Sequence, residues 1–292
     1  MYDAEWGGIL PVDFRVNGKD VTPSEKIQLK EGLNRIVLHY DSHGTGRFVL
    51  RKAEPAFIAD LAAERPLTMK YRGDASLLLF DSRDEACGKA SFRFQTPPGL
   101  SEMEFYSYGI PEVCVDTVAG EVLCLETRAD GASHYIVSFP KVCQKEATAT
   151  VTVPEIWGYT GGALIDGPIK FGCSAGIFHL GDWCTNDALR TYSGAVRYEK
   201  TFEMGQTLPE TAVLDLGEVV SSARVSINGH EAGIRLAPPY RFDIAPWLQS
   251  GVNKVEIRVT NTSSNFFLTT PTTYGGSTIS GIIGPVRILY PL

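Results

Sequence analysis

A chain of 292 residues and 31.9 kDa is longer than one ordinary domain and suggests two, or two and a part. Hydrophobic residues at 43% against 21% charged exclude a disordered chain, and 29 Gly with 17 Pro break it too often for a helical bundle. A net charge of −7 with a pI near 5.3 makes nucleic acid and anionic membrane surfaces poor partners, and no apolar run reaches the roughly 20 residues that cross a bilayer.

The first element is a strand that stops at a turn: Phe14-Arg15-Val16 runs into Asn17-Gly18, and both turn residues accept positive φ. A spacer follows, then Glu31-Gly32-Leu33-Asn34-Arg35 and an alternating strand ending at His39-Tyr40-Asp41. Residues 55–64 (PAFIADLAAE) predict the one short helix. Later segments repeat the opening pattern. Residues 223–262 hold Val225-Ser226-Ile227 before Asn228-Gly229, then Ser250-Gly251-Val252-Asn253-Lys254, then Val255, Ile257 and Val259 alternating with polar residues. A weaker copy lies between, with VCVDTVAG (113–120) in place of the Asn-Gly turn and ATATVTV (147–153) as the closing strand. Openings and ends also match: ASFRFQTPP (90–98) beside GAVRYEKTFE (194–203), and GPIKF (167–171) beside GPVRI (284–288).

The pattern predicts an all-β chain of tandem antiparallel β-sandwiches with very little helix. Its parts are a partial sandwich over 1–66 whose front strands are missing, a full one over 67–175 and another over 176–292. Between the last strands, Phe242, Ile244, Trp247 and Leu248 are expected to close one end, with Asp243 capping a turn stiffened by Pro246 and Gly251 taking a left-handed conformation. The first copy starts at the strand before its turn, so upstream strands are expected. The first residues lack the basic and apolar regions of a signal peptide.

Here the residues carry a family resemblance. SGAVRYEKTFE, LDLGEVVSSARVSINGHEAG, PPYRFDIAPWLQSGVNKVEIRVTNT and SGIIGPVRI resemble the galactose-binding-like jelly-roll domain. That domain accompanies glycoside hydrolases such as β-galactosidases and β-glucuronidases. FRFQTPPGLSEMEF and LGDWCTNDALRTYSG look closest to the C-terminal region of the large bacterial α-L-rhamnosidases. The resemblance implies a non-catalytic, carbohydrate-binding or scaffolding region of a secreted or periplasmic bacterial enzyme acting on plant-type glycans. Its partners would be a glycan and a catalytic domain of the same polypeptide. No cofactor is required, though sandwiches of this kind often hold a structural calcium in loop oxygens. Two alternatives stay open: a purely structural interdomain module, and a stand-alone glycoside hydrolase with an open cleft.

No catalytic residue can be assigned, because nothing matches a catalytic barrel, and among 34 acidic residues spacing promotes no carboxylate pair. Gly172-Cys173-Ser174-Ala175-Gly176 fits the nucleophile-elbow pattern G-x-S-x-G, but no helical period follows it, so it reads as a junction between sandwiches. His179, Asp182 and Asp187 read as turn and capping residues, and His39, Asp41 and His43 as a solvated strand end. The six cysteines include no C-x-x-C pair, so zinc is not expected. Cys114 and Cys124 would face each other across a hairpin turning near Ala119-Gly120, where a disulfide is conceivable beside the reading as small hydrophobes. Sugar recognition needs aromatic faces with carboxylates and amides beside them. The candidates are Trp157, Tyr159, Asp182, Trp183, Tyr192, Tyr240 and Tyr274. Of these, Trp183 and Tyr240 also read as packing residues, and Tyr274, in a long loop with Phe266 and Phe267, reads as the best exposed platform.

Overall fold

The computed structural model describes residues 2–8, 11–22, 27–41, 46–52, 57–60, 67–69, 79–84, 88–268 and 276–291. The chain forms two units, Met1–Pro55 and Ala56–Leu292. In the smaller unit, Asp13–Val16 lies between Lys19–Asp20 and Ile36–His39, and Tyr2–Gly8 pairs antiparallel with Gly46–Lys52. Tyr2–Gly8 is thus a strand upstream of Asp13–Val16, the strand with which the sequence pattern has the first copy begin. Phe14, Val16 and Ile27 make its core, with Phe48 edge-on to Phe14 at 5.6 Å.

The larger unit contains two sandwiches. In one, the sheet Glu121–Thr127, Ser133–Cys143, Leu100–Ser107, Ile165–Cys173, Leu67–Met69 faces the sheet Val118–Ala119, Glu112–Val115, Thr148–Pro154, Lys89–Gln95, Leu79–Asp84. Alternation directs the residues: Phe92, Phe94, Val151 and Val153 meet Met103, Phe105, Val137 and Phe171 between the sheets, with Phe94 against Phe171 at 6.0 Å. In the other, a six-stranded sheet carries Ala195–Met204, Gly251–Thr260, Ser222–Ile227 and His230–Arg235, and its core residues pack with those of Arg241–Asp243, Val213–Asp215 and Arg287–Leu289. The all-β class holds; only short helical turns interrupt it.

The helix expected over 55–64 is overturned where it is described. Phe57–Asp60 is a strand inserted between Gly176–Phe178 and Ala195–Met204, with Phe57 buried edge-on to Tyr198 at 6.0 Å. Two open strand edges offer hydrogen bonds and an apolar slot, which outweigh a weak helical preference in a short segment. This strand belongs to the larger compact unit, which starts at Ala56. Cys114 and Cys124 are both free thiols: Cys114 opposes Ala119 in one sheet and Cys124 opposes Tyr135 in the other, because the hairpin turns at Asp116-Thr117, three residues earlier than expected. Cys87 lies outside the described residues.

The repeated pattern has a physical basis. The non-glycine residues with positive φ among those described are Asn17 (53°), Asp116 (50°) and Asn228 (51°), one in each copy. The Asn228 side chain accepts from the Lys254 amide at 2.8 Å and donates to the Trp247 carbonyl and to Asn253 Oδ1 at 2.8 and 2.9 Å. Asn253, fully buried, donates to the carbonyls of Gln249 and Gly251 and accepts from the Gln249 amide. The smaller unit repeats five of these six bonds: Asn17 donates to Asn34 Oδ1 at 2.9 Å and accepts from the Arg35 amide, while Asn34 donates to the carbonyls of Lys30 and Gly32 and accepts from the Lys30 amide. Asp116 keeps one element, accepting from the Thr148 amide at 3.0 Å.

The G-x-S-x-G segment joins the two sandwiches. A Cβ on Gly176 would overlap the backbone of Pro98 and Gly99, and one on Gly99 would overlap the Ser174 carbonyl. Ser174 Oγ donates to the Gly99 carbonyl at 3.3 Å, and burial pushes the Cys173 thiol up to about 12. Neither side chain is an activated nucleophile.

Two measurements test these assignments by chemical denaturation. Asn253→Ala is expected to cost about 3 kcal/mol, since it strands buried partners, whereas Asn34→Ala, on a half-exposed copy, costs about 1 kcal/mol. Gly176→Ala is expected to destabilise the larger unit by at least ~2 kcal/mol, and Ser174→Ala by less than ~1 kcal/mol.

Candidate functional site

The outer face of the sheet built on Leu100–Ser107 carries a cluster of interacting polar and aromatic side chains. Met103 and Phe105 point inward, so Glu104 and Tyr106 point outward. Strand register brings His134 beside Tyr106 on one side and Asp166 on the other, and sets Lys170 beside Glu104. The Tyr106 and His134 rings stack at 4.5 Å with 10° between their planes, and the Arg128 guanidinium lies over Tyr106 at 5.2 Å. Tyr106 donates to Glu126 at 3.2 Å.

Every cation in the cluster is held by a carboxylate. Arg128 pairs with Asp130 and, at 2.7 Å, with Asp166. Lys170 binds Glu104 at 2.5 Å, and His134 Nε2 lies 3.0 Å from the same oxygen. These bonds hold the Asp130 carboxyl below its ordinary range, through Arg128 and then the Ala132 amide. The Glu104 carboxyl is lowered chiefly by Lys170, with burial opposing and His134 adding to the effect.

At the end of this face, Tyr108 stacks on Tyr159 at 3.8 Å. The Tyr108 hydroxyl is raised by its hydrogen bond with Tyr159, then by burial and the negative field of Asp130 and Asp166. Tyr159 closes a tight turn on Ile156, its amide donating to the Ile156 carbonyl at 3.0 Å, and Gly158 takes the positive φ (89°) that the turn requires. Trp157 sits at the turn's apex, 98% exposed.

The sequence-based candidates thus separate. Tyr159 lies at the end of this face, stacked on Tyr108, and Trp157 stands two residues before it at the apex of the turn. Trp183 is buried and donates from Nε1 to the Tyr198 hydroxyl at 2.5 Å; Tyr192 is buried and donates to the Ala195 carbonyl; Tyr240 is buried and donates to the Ser221 carbonyl at 2.6 Å. Trp183 and Tyr240 thus follow their reading as packing residues and Tyr192 is a correction: the ring faces are spent on the core, and the polar ends meet backbone or another aromatic residue. Asp182 caps a short 3₁₀ turn, accepting from the amides of Cys184 and Ser280, and Asp187 accepts from the Gln95 amide. Tyr274 and His43 lie outside the described residues. Phe266 and Phe267 sit on the short helix Ser264–Phe267 and remain 43% and 38% exposed. No three His, Cys, Asp or Glu side chains gather as a metal-binding group among the described residues. The cluster of Glu104, Tyr106, Arg128, His134 and Asp166 escaped the sequence reading; its one visible signal is the alternation of Glu104, Tyr106 and Tyr108 along a strand.

No protein-family model matches the chain. A protein of Formosa agariphila bearing the name "Putative beta-glucuronidase" is 35% identical over 79 residues, covering 26% of this chain and 7% of that protein. The chain therefore spans a small part of the curated relative's length. Among solved structures, the rhamnosidase from Novosphingobium sp. PP1Y overlaps 80% of this chain and 25% of its own at 17% identity with a TM-score of 0.35. The Streptomyces avermitilis α-L-rhamnosidase, solved with L-rhamnose, overlaps 85% of this chain and 32% of its own at 10% identity with a TM-score of 0.22.

Because Glu104 and Asp130 are lowered in the folded state, the native protein binds fewer protons than the unfolded chain in the acid range. Their contribution to stability is present above the ordinary carboxylate values and is lost as pH falls through the lowered ones. The melting temperature is expected to decline below about pH 4, and Glu104→Gln should flatten that decline in a melting series against pH.

Proposed function

We propose that this chain is a non-catalytic, carbohydrate-binding and scaffolding β-sandwich region of a glycoside hydrolase, α-L-rhamnosidase-like, whose substrate is a plant-type glycan. The observation that carries the binding role is Trp157. Burying a tryptophan is worth about 4 kcal/mol at ~25 cal/mol per Å², yet this one stands 98% exposed on a tight turn. The turn needs no tryptophan for its geometry. Beside it, Tyr159, Tyr108 and the carboxylates of the outer face supply what a sugar ring requires: an apolar platform next to acceptors for hydroxyls. The local 35% identity to a protein named for β-glucuronidase supports the association with carbohydrate enzymes, as does the resemblance carried by the second sandwich.

On this reading the enzyme's catalytic residues reside in another part of a longer, secreted or periplasmic bacterial polypeptide, and the sandwiches support that part; loop oxygens could hold a structural calcium without entering the chemistry. A purely structural role is favoured by the half-exposed Phe266 and Phe267, which suit a protein neighbour better than a polar sugar.

Isothermal calorimetry against a panel of plant polysaccharides tests the binding role. Trp157→Ala is expected to weaken binding at least tenfold while the melting temperature stays within about 1 °C; absence of binding by the unaltered chain leaves only the structural role. The purified chain is expected to release no product from aryl α-L-rhamnosides or β-galactosides, and measurable turnover would overturn the non-catalytic assignment.

A further inference from the structure

The charge arrangement of the outer face goes further than a general affinity for sugars. Resting on the carbohydrate-binding reading above, we infer that the face formed by Trp157, Tyr159, Tyr108, Tyr106 and their charged neighbours takes neutral saccharides and rejects those bearing carboxylate or sulfate groups.

Recognition of an anionic sugar needs a cation whose donors are free to reach it, most often an arginine fork. Here the Arg128 fork is bracketed by Asp130 on one side and Asp166 at 2.7 Å on the other. Lys170 is bound to Glu104 at 2.5 Å, and His134 leans on the same carboxylate. Glu126 adds a further carboxylate, which accepts from the Tyr106 hydroxyl at 3.2 Å. Within the cluster Glu104, Glu126, Asp130 and Asp166 stand against Arg128 and Lys170, so four negative charges face two permanent positive ones. An incoming carboxylate or sulfate would lose its water, find no free cation and meet an excess of like charge. A neutral sugar meets the opposite situation. Its hydroxyls donate to the carboxylate lone pairs that the ion pairs leave open, and its apolar face lies on the tryptophan.

The pairs serve a second purpose. They lock Arg128 over Tyr106 and Tyr106 against His134, so the acceptors stand at fixed positions before any ligand arrives and little side-chain entropy is lost on binding.

The test uses the full 292-residue chain, affinity electrophoresis and calorimetry. The neutral probes are galactan, arabinan and highly methyl-esterified homogalacturonan; the anionic probes are de-esterified homogalacturonan and dextran sulfate. The expected result is binding of at least one neutral polymer, at least tenfold weaker binding of every anionic one, and a neutral-polymer Kd that changes less than twofold between 50 and 500 mM salt. Trp157→Ala should abolish the neutral binding. Asp130→Asn with Asp166→Asn, checked for an unchanged melting profile, should release the guanidinium and raise binding of de-esterified homogalacturonan at least fivefold; Glu126→Gln, which disturbs no ion pair, should raise it in the same direction. Anionic polymers bound as tightly as neutral ones would overturn the charge selection while the carbohydrate-binding reading stands. Failure of every polymer to bind would overturn both.

Discussion

The structure depends on a pair of asparagines that clasp the start of one strand to the loop before its partner. Asn228 turns the chain through a left-handed conformation, and its amide then satisfies three backbone or side-chain groups that the turn exposes. Asn253, buried among Gln249, Gly251 and Asn228, has both donors and its acceptor occupied. A buried amide left partly unsatisfied would cost more than the pair contributes when complete, so the clasp selects one register for the hairpin and the strand Gly251–Thr260. That strand is central to its sheet, pairing along its length with Ala195–Met204 and then with Ser222–Ile227. Register set at the clasp therefore spreads through the sheet and decides which residues reach the core.

A second constraint follows from how the two sandwiches of the larger unit meet. Their cores form one continuous apolar cluster, and the backbone crosses between them where Gly99 and Gly176 approach too closely for a side chain. Asn186, buried, donates to the Thr96 carbonyl at 2.9 Å and tethers the second sandwich to the edge of the first. A junction this tight leaves the outer sheet face of the first sandwich supported from behind, and that support holds an aromatic and charged surface in place without help from a ligand.

Much of the fold was legible in the residues. Period-two alternation, the Asn-Gly turns and the Gly-x-Asn-basic phrase identified strands, hairpins and the three copies, because each reflects a local backbone requirement. Misreadings arose where a local signal met a stronger distant one. Residues 57–60 carry a weak helical pattern, but two unpaired strand edges claim them. Tyr192 sits in loop-like sequence, which suggested an exposed platform, yet its ring fills the core while its hydroxyl donates to the Ala195 carbonyl. The outer-face cluster left only the alternation of Glu104, Tyr106 and Tyr108 as its trace in the sequence: Glu104, His134, Asp166 and Lys170 are up to 66 residues apart, and only strand register makes them neighbours.

The sequence by itself determined the all-β class, the two Asn-Gly turns that need positive φ and the polar-apolar alternation that assigns each strand residue to a face, since these are properties of a few consecutive residues. Tertiary structure alone decided which face of which sheet gathers charge, which aromatic residues are spent on the core and which one, Trp157, is left in water. Those outcomes depend on pairings between distant strands and on competition for buried volume, and neither is encoded in any single stretch of chain.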